Sequence, residues 1–258
     1  GCGTIKDCHN YGNVKAMTYA AGVCGGSQSD KTITTYNYLI ESSANSGKIS
    51  TTNGIGSAGI AGSYSGAIKY CTNNGNVDDT KGTSKSKQYT AGIVSCASFA
   101  VDIEGCYNKG AISGVKNVGG IVGNVMKGDE AATVIKNCRN DGSVSGQDMY
   151  VAGIVANSAR KEGVVSVVSC TNNGEVTSTG TTEFIGNLRG NTNIALGEGN
   201  VIGAGLKALP LDPATETGID NTNVNTSKTA NGVFLRNGQI VIVKNNKKYT
   251  ISGIEIAE

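Results

Sequence analysis

Short apolar runs recur along most of the chain, separated by glycine, asparagine and serine, and they fall at three positions in every repeat. The first position is a single branched residue: Ile5, Ile40, Ile68, Ile103, Ile135 and Val167. The third is a small-residue run: Ala21-Gly22-Val23, Ala58-Gly59-Ile60, Ala91-Gly92-Ile93, Gly119-Gly120-Ile121, Ala152-Gly153-Ile154 and the weaker Phe184-Ile185-Gly186. Runs this short, rich in Val and Ile and bounded by turn residues, predict strands, and no stretch keeps the period of an amphipathic helix.

The second apolar position ends a phrase that reads Cys-x-Asn-x-Gly-x-Val or Ile. The phrase begins at Cys8, Cys71, Cys106, Cys138 and Cys170, and a sixth copy begins at Ser43. Successive copies lie 28 to 35 residues apart, a spacing typical of repeat architectures. The sequence therefore predicts an all-β fold, a right-handed parallel β-helix (a solenoid) with three short strands per rung.

The residues of the phrase each have a predicted place in such a coil. The asparagines predict an inward-facing ladder in which each amide bonds to the amide one rung away. The glycine two residues later predicts a position with positive φ. Outside the phrase, the column Lys6, Glu41, Lys69, Glu104 and Lys136 alternates in sign, which predicts weak attraction between neighbouring rungs.

The cysteines are predicted to be reduced packing residues, because stacked thiols with parallel Cβ vectors fit disulfide geometry poorly. The chain has no Cys-x-x-Cys and a single histidine, His9, so the sequence predicts no metal site. His9 falls at a variable position of the phrase and is expected to be an exposed turn residue. No cofactor is predicted.

Domain boundaries follow from where the pattern fades. Residues 1–206 are predicted to form the β-helix of six repeats, closed by a degenerate rung at Gly199-Asn200-Val201. Residues 207–228, with Pro210 and Pro213, have the composition of a linker. Residues 229–258 carry an Asn237-Gly238 hairpin signal and predict a small antiparallel β module. Because the chain opens directly before a repeat, we expect it to be part of a longer protein.

Composition narrows the class of protein. Among 258 residues there are 38 glycines and no tryptophan, which disfavours a conventional globular core. The formal net charge is +2 with scattered Lys and Arg, which argues against nucleic acid as a partner. No apolar run is long enough to cross a bilayer, so no transmembrane segment is predicted.

The repeats, with their Cys-x-Asn-x-Gly-x-Val and Gly-Ile-Val-Gly phrases, resemble the GLUG-type repeats of large bacterial surface proteins, including adhesins and non-catalytic regions of IgA-specific metallopeptidases. The resemblance covers residues 3–190, although Ser43 and the eroded third position of the last repeat depart from it. The tail resembles C-terminal modules of secreted or surface proteins of Bacteroidetes. The resemblance implies a secreted or surface-displayed bacterial protein with an adhesive or structural role, and it carries no catalytic residues onto this chain.

Two classes of function remain open at this stage. The first is a non-enzymatic surface module that binds a glycan or a host or bacterial protein, or acts as a spacer. The second is a polysaccharide lyase or glycoside hydrolase on a β-helix, which needs clustered carboxylates. The adjacent acidic pairs are Asp78-Asp79 and Asp129-Glu130, in predicted loops, and we expect no catalysis from them.

A binding surface is predicted on the two longest loops, which run from Gly26 to Leu39 and from Asp78 to Thr90. Insertions in repeat proteins collect on one face. The candidate ligand-binding residues are Tyr36, Tyr38, Lys81, Lys85, Lys87 and Tyr89. Aromatic faces suit sugar rings and lysines suit acidic glycans. The sequence identifies neither the ligand nor the oligomeric state.

Overall fold

The computed structural model describes residues 2–26, 37–83, 88–98, 101–126, 132–180 and 183–212, together with four strands at 232–236, 239–244, 247–250 and 255–256. The chain divides into two compact units, Gly1–Asp212 and Pro213–Glu258. The first unit is an all-β parallel solenoid of about six turns, and its described residues contain no helix. We number the rungs 1 to 6 by the phrases that begin at Cys8, Ser43, Cys71, Cys106, Cys138 and Cys170.

The described strands of the solenoid form five parallel sheets, each built from equivalent segments of successive rungs. Sheet 1 contains Cys2–Lys6, Asn37–Glu41, Ala67–Lys69, Asp102–Glu104, Thr133–Lys136, Val165–Val168 and Ile194–Leu196. Sheet 2 contains His9–Asn10, Ala44–Asn45, Thr72–Asn73, Tyr107–Asn108, Arg139–Asn140, Thr171–Asn172 and Val201–Ile202. Sheet 3 contains Val14–Thr18, Ile49–Ile55, Val77–Asp78, Ile112–Ser113, Val144–Gly146 and Val176–Ser178. Sheet 4 contains Ser57–Ala58, Thr90–Ala91, Val118–Gly119, Val151–Ala152 and Ile185–Gly186, and sheet 5 contains Cys24–Gly26, Ala61–Tyr64, Val94–Ala97, Val122–Val125 and Val155–Ser158.

The predicted three strands per rung are therefore too few. A sharp corner before each phrase separates the first apolar position from the Cys-x-Asn pair, which forms a strand of its own in sheet 2. The first residue of the third run ends a sheet 4 strand, as Ala58 does, and a bend at the next two residues, Gly59 and Ile60, leads to the sheet 5 strand that begins at Ala61. The predicted register is confirmed, since Ile40 pairs with both Ile5 and Ile68 in sheet 1.

Positive φ occurs at the corner residue before each of the six phrases and at the equivalent residue before the closing rung, Gly199. These residues are Asp7, Ser42, Tyr70, Gly105, Asn137, Ser169 and Gly199, with φ between 49° and 74°. The prediction that the glycine inside the phrase has positive φ is wrong. Gly110 is required for another reason: a Cβ there would lie 2.0 Å from the carbonyl oxygen of Gly75 on the preceding rung. The phrase glycine permits close approach between successive turns.

The predicted asparagine ladder is confirmed. Each asparagine Nδ2 donates to the Oδ1 of the next, over 2.7–2.8 Å, from Asn10 through Asn45, Asn73, Asn108 and Asn140 to Asn172. Each Nδ2 also donates to the carbonyl oxygen of the glycine two residues later, as Asn73 does to Gly75 at 2.8 Å. From rung 2 onward these amides are fully buried, so the ladder satisfies polar groups inside the coil.

Apolar residues and thiols fill the rest of the interior. The first-position isoleucines from Ile40 onward are fully buried, and so are the phrase-ending residues Ile49, Val77, Ile112 and Val144. Cys71, Cys106, Cys138 and Cys170 are buried free thiols, as their predicted packing role requires. Cys8 is exposed because it lies on the first rung.

The alternating column on sheet 1 forms ion pairs along the outside of the coil. Lys6 lies 2.8 Å from Glu41, and Glu104 lies 3.6 Å from Lys69 and 3.4 Å from Lys136. These pairs confirm the predicted attraction between rungs, although exposed pairs of this kind contribute at most about 1 kcal/mol each.

The far end of the asparagine ladder is closed by Asp212. Asn172 Nδ2 donates to Asn187 Oδ1 (3.2 Å), and Asn187 Nδ2 donates to Asp212 Oδ2 (2.6 Å). The same carboxylate accepts from the backbone N–H groups of Asn187 (2.5 Å) and Leu209 (2.7 Å), and Leu209 packs against the core. Residues 207–212, the predicted start of the linker, thus lie against the solenoid and end its ladder.

The described strands of the second unit are Gly232–Arg236, Gln239–Lys244, Lys247–Thr250 and Glu255–Ile256. The predicted turn at Asn237-Gly238 lies outside the described residues. The extent and role of a C-terminal module remain predictions.

Candidate functional site

The residues predicted to bind ligand do not form one site in the described part of the chain. Tyr36, Lys85 and Lys87 lie outside the described residues. Lys81 is exposed, but Tyr38 is half-buried and packs against the main core. Tyr89 is only 8% exposed, so its ring cannot stack on a sugar. The prediction of Tyr89 as a surface contact is wrong, because this tyrosine directly precedes a sheet 4 strand and lies buried beside it.

The acidic pair Asp78-Asp79 has its two carboxyl groups on opposite sides of a strand. Asp78 points outward and pairs with Lys48 at 3.2 Å, whereas Asp79 is buried and accepts from the Thr51 backbone N–H at 2.6 Å. Two carboxylates that face opposite ways cannot flank one glycosidic bond. The second pair, Asp129-Glu130, lies outside the described residues.

Because one carboxyl group is buried and the other points outward, their pKa values shift in opposite directions. Burial raises the pKa of Asp79, and the hydrogen bonds from the Thr51 backbone N–H and hydroxyl oppose that rise only in part. Partial burial raises the pKa of Asp78 too, but hydrogen bonds from Thr80 and Lys48 outweigh it and lower the pKa overall.

We expect Asp79→Asn to increase the free energy of unfolding at pH 7 by about 1 kcal/mol, because it removes a buried charge and keeps an acceptor for Thr51. A raised folded-state pKa means that the carboxylate destabilises the fold above that pKa. The gain should therefore shrink as the pH falls through the raised folded-state pKa, and it should vanish below the ordinary aspartate value of about 3.9, where folded and unfolded chains are both protonated. Urea unfolding at several pH values measures it.

Asp78→Asn is the matched control for this prediction. Since the pKa of Asp78 is lowered in the fold, its carboxylate stabilises the protein at neutral pH and loses that effect as the pH falls through its folded-state pKa. The two variants should therefore change stability in opposite directions at pH 7. If both variants lost stability, the buried Asp79 carboxylate would be stabilising the fold, and the prediction would be wrong.

The variable positions of the phrase point outward and build a continuous surface. The residue between Cys and Asn lies on the outer side of sheet 2, and the residue between Asn and Gly lies in the turn that follows it. We call this surface, together with the corner residues that directly precede sheet 2, the sheet 2 face. His9 is exposed on it, as predicted, and its ring stacks on Tyr11 with centroids 3.9 Å apart. His9 Nε2 also lies 2.9 Å from Ser46 Oγ on the next rung.

One part of the sheet 2 face combines aromatic, cationic and amide groups over rungs 3 to 6. We call it the tyrosine–arginine patch, and its members are Tyr70, Tyr107, Lys109, Arg139, Asp141 and Asn173. The repeat pattern places them together because Tyr107 pairs with Arg139 in sheet 2, and the remaining members lie at the corner before that sheet or in the turn after it.

Asp141 is the hydrogen-bonding centre of the tyrosine–arginine patch. Its Oδ1 accepts from Arg139 Nε and from Asn173 Nδ2, both at 2.8 Å, and its Oδ2 accepts from the Tyr107 hydroxyl. The Arg139 guanidinium holds the pKa of Asp141 at about 2. The carboxylate therefore remains charged at neutral pH and fixes the orientation of all three donors.

Two cations flank the Tyr107 ring. Lys109 Nζ lies 4.7 Å from the ring centroid and Arg139 Cζ lies 5.3 Å from it, both within cation–π range. The hydrogen bond to Asp141 raises the pKa of the Tyr107 hydroxyl, which therefore stays protonated as a donor.

Tyr70 supplies the exposed aromatic surface of the patch. It is 55% exposed and occupies a corner with φ of 53°. Its ring lies against Gly105 on the next rung, where a Cβ would come within 2.5 Å of Tyr70 Cδ1. The missing side chain at Gly105 gives the ring a place to rest, so its orientation is set by packing.

Three further features of the described residues concern metal binding, a surface depression and membrane spanning. In the described ranges no three His, Cys, Asp or Glu side chains are grouped to hold a metal ion. An open depression of about 350 Å³ lies outside sheet 1, lined by Val101, Asp102, Ala132, Val134 and Lys136. No helix in the described part of the chain has the length and apolar character needed to span a membrane.

The fold defines this chain as a parallel β-solenoid protein. No family model, curated protein or solved structure matches it.

Sequence reasoning did not identify the tyrosine–arginine patch, since its residues differ from rung to rung. The signal was present in the phrase itself, because the x positions are the outward ones. Aromatic and charged residues concentrate at those positions in rungs 4 and 5 as Tyr107, Lys109, Arg139 and Asp141.

Proposed function

We propose that this chain is a non-enzymatic binding module of a secreted or cell-surface bacterial protein, and that it binds a glycan on the sheet 2 face. The observation that carries the proposal is the tyrosine–arginine patch. An exposed ring held over a glycine suits stacking on a sugar, and donors fixed around one carboxylate suit hydrogen bonding to hydroxyl groups.

The rigidity of the scaffold supports the same proposal. The strands below the patch pair on both sides and enclose a buried amide ladder, so the outward side chains stand on a fixed frame. A preorganised surface loses little conformational entropy when a flexible glycan binds. The resemblance to GLUG-type repeats of bacterial adhesins agrees with a surface role. The C-terminal strands would form a separate small antiparallel β module on such a protein.

An immobilised panel of neutral and acidic polysaccharides tests the proposal with the full chain. Tyr70→Ala should reduce any binding by about tenfold, as expected for loss of a stacked aromatic ring. Tyr19→Ala is the matched control, because Tyr19 has a similar corner φ of 51° and lies over Gly56 in the same manner, away from the sheet 2 face.

Binding that is equally sensitive to both variants, or to neither, would place the ligand elsewhere. No binding to any member of the panel would contradict a glycan-binding role. The same incubations report on the alternative, a lyase or hydrolase, through new reducing ends or unsaturated uronate absorbance. Either product would refute the non-enzymatic assignment.

A further inference from the structure

We infer that the tyrosine–arginine patch recognises a carboxylate-bearing glycan, such as a uronate oligosaccharide, that runs along the solenoid axis. This inference rests on the proposed function and adds the chemical class of the ligand and its direction on the surface.

The hydrogen bonds of Asp141 leave cationic groups available beside it. Its two oxygens already accept three donors, and only the Nε of Arg139 is used among them. Arg139 pairs with Asp141 through its Nε, whereas Lys109 Nζ lies over the Tyr107 ring and has no ion-pair partner among the described residues. Planar guanidinium groups match carboxylates well, and charge-assisted bonds of this kind are stronger than neutral ones.

The lysines of sheet 1 differ from Lys109 in having acidic partners. Lys6, Lys69 and Lys136 each lie within 4.0 Å of an acidic side chain on the same sheet. Their charge is balanced locally, whereas Lys109 faces an aromatic ring and solvent. The patch has two cations and one carboxylate, so its local charge favours an anionic ligand.

The rung spacing sets the direction of the ligand. Tyr70, Tyr107, Arg139 and Asn173 belong to four successive rungs, about 4.8 Å apart, so the patch extends about 14 Å along the axis. Each step is close to the length of one sugar unit. A ring stacked on Tyr70 would therefore place the acid groups of the following units near Lys109 and Arg139.

An acidic peptide fits the same surface less well. Peptides commonly bind sheets by adding a strand to an exposed edge. The sheet 2 strands of rungs 3 to 6 pair on both sides, so they offer no free backbone edge at the patch. Contacts there are limited to outward side chains, which suits a ligand recognised through ring faces, hydroxyl groups and carboxylates.

The experiment is calorimetric titration of the full chain with an oligogalacturonate and with its fully methyl-esterified form, which keeps the rings and removes the charge. Lys109→Gln and Arg139→Gln should each weaken oligogalacturonate binding by about tenfold, the usual effect of losing a charged hydrogen bond. Lys136→Gln, on sheet 1, is the matched control and should leave binding unchanged. Thermal melts verify that all variants are folded, and Lys109 is exposed, so its replacement leaves the core intact.

Several outcomes distinguish the ligand class from the broader function. Binding of the acid form alone, weakened by salt and by Lys109→Gln, would support the inference. Equal, Tyr70-dependent binding of both forms would overturn the acidic class and keep a glycan-binding face. Polyglutamate binding with the same variant pattern, and no oligogalacturonate binding, would identify an acidic polypeptide instead and overturn the inference. Binding of no probe would overturn the inference outright, while the polysaccharide panel separately decides whether the face binds another glycan.

Discussion

Gly110→Ala is expected to destabilise the solenoid by at least about 3 kcal/mol. The new Cβ would lie 2.0 Å from the Gly75 carbonyl oxygen and 3.1 Å from the Asn73 amide nitrogen. Neither neighbour can move freely, because Asn73 belongs to the buried ladder and Gly75 is part of the same close-packed turn. The two rungs would have to separate locally, which breaks backbone and amide hydrogen bonds at once. Chemical denaturation measures the change.

Gly12→Ala is the matched control, since Gly12 holds the same place in the phrase on rung 1. A Cβ there meets only Asn10 Oδ1, at 3.8 Å, because no described rung lies before it. Alanine should be tolerated at this position or stabilise slightly, by about 0.4–1 kcal/mol, through the lower entropy of the unfolded chain. Equal destabilisation in the two variants would mean that backbone conformation, and not contact between rungs, is what requires glycine.

This pair of variants also separates what the sequence could predict from what it could not. The repeated phrase predicts which residues share a column, and so the register of Asn73 with Asn108 and the inward direction of their amides. It does not reveal why the glycine is needed, because positive φ and close approach both select glycine. The distinction depends on the distance between successive turns, which no single repeat encodes.

The corners before the phrases could not be predicted from the sequence for a related reason. Left-handed backbone conformation at the residue before each phrase is shared by Asp7, Ser42, Tyr70 and Asn137, whose side chains have little in common. The strands on either side of each corner pair with neighbouring rungs in sheets 1 and 2, and this pairing fixes the backbone conformation of the corner. The side chain at the corner can therefore vary. That freedom is what allows an exposed tyrosine at position 70.

The end of the coil and the candidate site both depend on contacts that are distant in sequence. Pro210 marks a break in the pattern and suggests a linker, yet Asp212 folds back to accept from Asn187. The candidate site likewise requires Tyr107 and Asp141, 34 residues apart, to meet on adjacent rungs. The repeat period would have placed them together, but their chemistry becomes visible only when the variable positions are examined across rungs.

Asn73→Leu is expected to lower the free energy of unfolding by at least about 3 kcal/mol, although leucine is similar in size and apolar. The Asn73 amide donates to Gly75 O and to Asn108 Oδ1 and accepts from Asn45 Nδ2, each at 2.8 Å. Leucine leaves all three partners without that bond in a region shielded from water. An unmade bond of a buried polar group costs about 1–3 kcal/mol, and the three losses occur together.

Asn74→Leu is the matched control, because it makes the same chemical change at the adjacent, exposed residue. Its unfolding free energy should change by no more than about 0.5 kcal/mol, as is usual for a surface substitution. Urea denaturation of both variants at one pH gives the comparison. If the two variants have the same unfolding free energy, the buried amides contribute nothing beyond filling space. The apolar columns on either side must then hold the rungs together by themselves. A large difference confined to Asn73 would instead identify the ladder as the element that joins each turn to the next.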